Sequence, residues 1–71
     1  MPLVEIKVFE NELSQKESKT LIEDVTDAVV SLTGESLRDV TWVVVQEVKS
    51  GNWGVGGKAL GLDDVREMQK N

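Results

Sequence analysis

The chain opens on an alternation of apolar and polar positions. From Leu3 to Phe9, Val4, Ile6 and Val8 fall on one face of an extended segment and Leu3, Glu5, Lys7 and Phe9 on the other, a period of two that predicts a strand. A short polar stretch, Asn11 to Leu13, follows. Ser14 and Glu17 then form the S-x-x-E pattern in which each side chain satisfies an orphan amide at a helix start. Beyond it the period changes: Leu21, Ile22, Val25, Ala28, Val29 and Leu32 recur every three or four residues, with Lys19, Glu23, Asp24 and Asp27 on the other side. One helical face is therefore expected in the core and the other in water. Gly34, just past the last periodic residue, suits the left-handed conformation that ends a helix.

A second strand is predicted from Val40 to Val48, rich in β-branched residues and apolar on both faces in its middle. About thirty residues and one helix separate the two strands, which is the length and content of a right-handed βαβ crossover, so the strands are expected to be parallel. Lys49 to Asn52 reads as a turn, and Trp53-Gly54-Val55-Gly56-Gly57 as an irregular or hairpin segment where the backbone needs freedom. Asp63 is the expected cap of a last short helix running through Met68. No repeat or linker divides the chain, so residues 1–71 read as a single α/β domain built on one βαβ unit.

One βαβ unit does not close its own core. A single helix covers one face of a two-stranded sheet and leaves the other face and both edges open. At 71 residues the chain buries only about 60% of the surface it exposes when unfolded. It has no cysteine to staple it, so a symmetric homo-oligomer is expected.

Charge and composition narrow the partners. Thirteen acidic against 8 basic residues leave a net charge of −5, which argues against nucleic acid and anionic membranes, both bound through excess Lys and Arg. The longest apolar runs, such as Trp42 to Val45, fall far short of the ~20 residues a membrane span needs. Charges at Glu5, Lys7 and Glu10 leave no segment resembling a signal peptide, so a cytoplasmic protein is expected. Without His or Cys, the usual metal ligands are missing, and neither a metal nor a cofactor is expected.

The inventory for proton transfer near neutral pH is short, because His, Cys and Tyr are all absent. Carboxylates, lysines and the amino terminus remain, and of these only an α-amino group has an ordinary pKa, ~7.7–8.0, near the working range. Pro2 follows Met1, and removal of the methionine leaves a proline with a free secondary amine. An apolar pocket or nearby positive charge lowers the pKa of such an amine and makes it a general base. A Pro at position 2 is common, and taken alone its plainer role is to start a strand.

The whole pattern resembles the 4-oxalocrotonate tautomerase family of the tautomerase superfamily. The resemblance is carried by Met1-Pro2 leading directly into Leu-Val-Glu-Ile-Lys-Val, by the helix Leu-Ile-Glu-Asp-Val-Thr-Asp-Ala-Val, and above all by Gln46-Glu47-Val48 leading to Asn52-Trp53-Gly54-Val55-Gly56-Gly57. It implies a βαβ protomer, dimers with a four-stranded sheet, and a hexamer built as a trimer of dimers. It also implies that mature Pro2 is the catalytic base, moving a proton between an enol and its ketone.

Two positions depart from the family pattern. Relatives that handle dicarboxylates carry an arginine just after the first strand, where this chain has Glu12, and a second in the later strand, where it has Trp42. The aromatic wall of the Gly-rich segment is kept as Trp53. Without the two arginines the expected substrate is a neutral or monoanionic enol or keto acid, with an apolar part against Trp53 and Trp42. Lys7, Arg38, Lys49 and Lys58 are the remaining candidates for a cation that stabilises an enolate, and each can also be a solvated surface charge. Two other readings stand beside this one: an oligomer that keeps the fold without the chemistry, and a hydratase or dehalogenase of unsaturated acids in which Glu12 activates water. Gly54, Gly56 and Gly57 lack the Lys-Ser or Lys-Thr of a phosphate loop, since Lys58 is followed by Ala59.

Overall fold

A computed structural model describes residues 1–70. Strand β1 spans Leu3–Phe9, helix α1 Gln15–Thr33, strand β2 Trp42–Val48, the short strands β3 and β4 Trp53–Val55 and Lys58–Leu60, and helix α2 Leu62–Met68. The expected crossover is present: β1 and β2 pair in parallel, with Leu3 opposite Trp42 and Phe9 opposite Val48. Strands β3 and β4 form an antiparallel hairpin in which Trp53 faces Leu60.

Local chemistry sets the boundaries. At the start of α1 the Glu17 N–H donates to Ser14 Oγ at 3.0 Å and the Ser14 N–H donates to Glu17 Oε1 at 2.9 Å, so two orphan amides are satisfied reciprocally. Gly34 ends the helix at φ 111, its N–H bonded to the Val30 carbonyl at 2.9 Å. The second strand starts later than its β-branched composition implies. Glu35–Val40 forms a 3-10 helix, held by Arg38 hydrogen bonds to Glu35 and Asp27 and by Thr41 Oγ1 donating to the Leu37 carbonyl. Val40 therefore belongs to that turn rather than to β2. Asp63 is likewise not the cap of α2. Gly61 takes that place, and Asp64 reaches back to accept its N–H at 2.8 Å, while the Leu62 N–H donates to Ser50 Oγ. The hairpin turn needs positive φ at both central residues, which Gly56 at 59 and Gly57 at 84 supply.

Burial alternates along β1 in step with the sequence, Val4, Ile6 and Val8 being half-buried and Leu3, Glu5 and Lys7 exposed. Among the described residues only Phe9 and Val30, each 4% exposed, are buried apolar residues. The sheet face opposite α1 stays open, with Leu3 at 55% and Trp42 at 59% exposure. Leu32, read from periodicity as a core position, is 90% exposed. It lies in the last turn of α1, and a 19-residue helix of about 28 Å overhangs strands of about 23 Å.

Candidate active site

The sequence-derived site residues fall at the two ends of β1. Pro2 immediately precedes the strand and is half-buried, and its carbonyl accepts the Trp42 N–H at 3.0 Å. That bond opens the β1–β2 ladder and places Trp42, the first residue of β2, beside Pro2 and opposite Leu3. Met1 is 82% exposed.

Phe9, Glu12 and Trp53 gather at the other end. The Trp53 ring lies 5.1 Å from that of Phe9, centroid to centroid, at an interplanar angle of 42°, within the range of favourable aromatic pairs. Burial of Phe9 thus fixes one side of the indole. The other side contributes to a shallow groove of about 300 Å³ lined by Lys7, Val48, Asn52, Trp53 and Gly54. Glu12 turns inward to close the chain after β1: its Oε1 accepts the Phe9 N–H at 2.9 Å, and its own N–H donates to the Phe9 carbonyl at 2.9 Å. One oxygen of this carboxylate is therefore committed to the main chain.

A contributor that local pattern does not reveal is Arg66. From α2 its Nη2 donates to the carbonyls of Asn11 and Glu12 at 3.2 and 3.0 Å, pinning the C-terminal helix to the turn after β1. A lone arginine in a short helix carries no spacing signal for a contact more than fifty positions away; its place in the last turn of α2, where a cation suits the helix dipole, was the one available hint.

Electrostatics separates the candidate cations. The Arg38 guanidinium bonds both Glu35 and Asp27, which holds Glu35 below the usual carboxylate range and pushes the arginine still higher. Its charge is spent on those two carboxylates. Glu17 is also lowered, chiefly by the Ser14 amide it accepts. Lys49 and Lys58 belong to the hairpin side of the molecule and do not line the Trp53 groove. Lys7 does. Among the described residues no three His, Cys, Asp or Glu side chains converge as a metal site requires, and no helix is long and apolar enough to cross a membrane.

Pro2 and Trp53 do not meet within one chain. Seven strand positions separate Pro2 from Phe9, roughly 23 Å at ~3.3 Å per residue. Pro2 and Trp42 form one group, and Phe9, Glu12, Lys7 and Trp53 the other.

Known proteins share this fold. The protein named Probable tautomerase K2 of Dickeya dadantii is 33% identical over 60 residues, covering 84% of this chain and 88% of the relative. Probable tautomerase SAR1376 of Staphylococcus aureus is 40% identical over 57 residues, covering 80% and 90%, and the crystal structure of SAR1376 superposes with a TM-score of 0.72 at 38% identity over 82% and 90% of the two chains. TomN, described as a 4-oxalocrotonate tautomerase homologue in the tomaymycin biosynthetic pathway, superposes with a TM-score of 0.75 at 27% identity, covering 93% of this chain and 95% of its own. The βαβ unit with its hairpin is thus the 4-oxalocrotonate tautomerase fold. The family model for tautomerase enzymes matches residues 2–63, from the proline through the strand, crossover helix and Gly-rich hairpin, and the chain belongs to the tautomerase family.

Proposed function

We propose that this protein is a keto–enol tautomerase in which Pro2, freed by removal of Met1, is the general base. The observation that carries the reading is the position of Pro2: anchored through its carbonyl at the start of β1, in a chain that offers no His, Cys or Tyr for the task. The secondary amine accepts the enol hydroxyl proton, and the resulting ammonium returns a proton to the adjacent carbon. The C=C and O–H of the enol become the C–H and C=O of the ketone, and the amine is regenerated. The substrate is a neutral or monoanionic enol or keto acid, because Glu12 and Trp42 stand where dicarboxylate-handling relatives keep arginine.

The site is assembled from two copies of the chain. In the two-stranded sheet β1 has one unpaired edge. Antiparallel pairing of two such edges about a two-fold axis sets the start of one β1 beside the end of the other. The roughly 23 Å between Pro2 and the Trp53 end within a chain then becomes about one strand spacing, ~4.8 Å, between chains. Trp53 of one protomer covers Pro2 of its partner, excludes water and lowers the amine pKa, with Trp42 adding a second apolar wall. Three such dimers form the hexamer.

Two measurements test this. Intact-mass spectrometry of the native protein is expected to lack the Met1 residue; retained Met1 makes the Pro2 nitrogen an amide and supports the non-catalytic oligomer instead. Ketonisation of phenylenolpyruvate, followed by absorbance, is expected to fall at least ~100-fold in kcat/KM in Pro2→Ala. Turnover unchanged in that variant would sink the mechanism.

A further inference from the structure

The groove beside Trp53 combines a cation, a carboxamide and an indole. Lys7 is the one ionisable residue lining it, with Asn52 and Trp53 alongside and no carboxylate in the wall, although the chain carries 13 acids. Lys7 stands in register with Gln46 on β2, and among the described residues it makes no ion pair, whereas Arg38 is paired with Asp27 and Glu35 and Lys70 with Glu67. Arg66 spends its Nη2 donors on main-chain carbonyls. Glu5, the next residue on the same strand face, lies about 7 Å along β1 from Lys7. A local positive charge in a chain of net −5 is what a small anion would find on approach.

We propose that Lys7 is the carboxylate-binding residue of this groove, and that Lys7, Asn52 and Trp53 together select a monocarboxylate with an apolar body. The Lys7 ammonium and the Asn52 amide donate to the carboxylate, while the indole covers the hydrocarbon. A dicarboxylate places its second charge against Trp53 and Val48, where the wall has no second cation and the charge loses hydration without compensation. The inference rests on the proton-transfer reading for the bound acid being a substrate, and it names the substrate class of that same site.

Binding is read without turnover from the Trp53 indole cross-peak in ¹⁵N-labelled protein, assigned with Trp53→Phe. The probes are 3-phenylpropanoate, which has no enol to process, and the neutral 3-phenylpropanamide. The carboxylate is expected to shift the peak with an affinity roughly tenfold above the amide, weakening as salt is added. Lys7→Gln is expected to remove that preference, and Lys7→Arg to retain it within about threefold. Equal affinity for the two probes, an unchanged preference in Lys7→Gln, or no shift with either probe overturns the inference. Pro2→Ala separates the two readings. Lost turnover with carboxylate preference kept supports both, whereas lost turnover in Pro2→Ala beside an unaffected Lys7→Gln leaves the proton transfer standing and removes Lys7.

Discussion

A secondary amine is a useful base only when its charged form is made less comfortable, and at the residue scale the proposed mechanism gives that task to Trp53. An unperturbed α-amino group titrates at ~7.7–8.0, and an indole that excludes water depresses this value. Because the base works unprotonated, kcat/KM rises with pH through the amine pKa. Trp53→Ala is expected to move this rising limb upward toward the unperturbed range, as well as raising KM, in a pH profile of phenylenolpyruvate ketonisation. A limb that stays in place removes Trp53 as the group that tunes the amine. Legibility differed among the site residues for physical reasons. Pro2 and Trp53 could be named as candidates because one depends only on chain position and the other on a Gly-rich motif. The inward turn of Glu12 onto the Phe9 amide and the grip of Arg66 on the Asn11 and Glu12 carbonyls were not, since both depend on where the chain returns in space.

At the scale of elements, strong local signals held and composition alone misled. The Ser14–Glu17 capping box forms as its spacing implies, and Ser14→Ala is expected to cost about 1 kcal/mol in denaturant unfolding. The Glu17 half of the box is pH-dependent. Its carboxyl is held below the ordinary value of 4.5, so the stabilisation is fully present above that value and is lost as pH falls through the lowered one. Glu17→Ala is therefore expected to destabilise the protein at neutral pH and to cost progressively less as the pH is taken below the ordinary carboxylate range; a cost that does not change with pH contradicts the assignment. Val40 shows the opposite case. Its β-branched neighbours read as strand, yet the Arg38 ion pairs and the Thr41 hydroxyl hold it in a 3-10 turn. Strand preference is decided by what packs on the pleat, and at Val40 the local hydrogen bonds of the 3-10 turn take precedence.

The whole chain is elongated, 42 × 24 × 20 Å, with a radius of gyration of 14.8 Å against about 11 Å for a compact chain of this length. Two buried apolar side chains among the described residues are few for a fold that must offset its conformational entropy. Leu3, Trp42, Val44, Val55 and Leu32 are exposed, and this is apolar surface that the proposed assembly would cover. Sedimentation is expected to give a hexamer, with a thermal midpoint that rises with protein concentration because folding and association are coupled. A stable folded monomer contradicts both the packing argument and the shared site.

The sequence by itself determined the element types, the parallel crossover, the capped helix start and the Gly-rich hairpin, because these follow from periodicity, caps and backbone freedom within short stretches, and its resemblance to known proteins gave the family. Only the tertiary structure decided how the chemistry is distributed. It placed Pro2 and Trp42 at one end of β1 and Phe9, Glu12, Lys7 and Trp53 at the other, and it showed that Arg38 is neutralised while Lys7 is left beside an indole. The contacts that bring Trp42 to Pro2, Trp53 to Phe9 and Arg66 to the turn after β1 join residues far apart in the chain, and no local pattern encodes them.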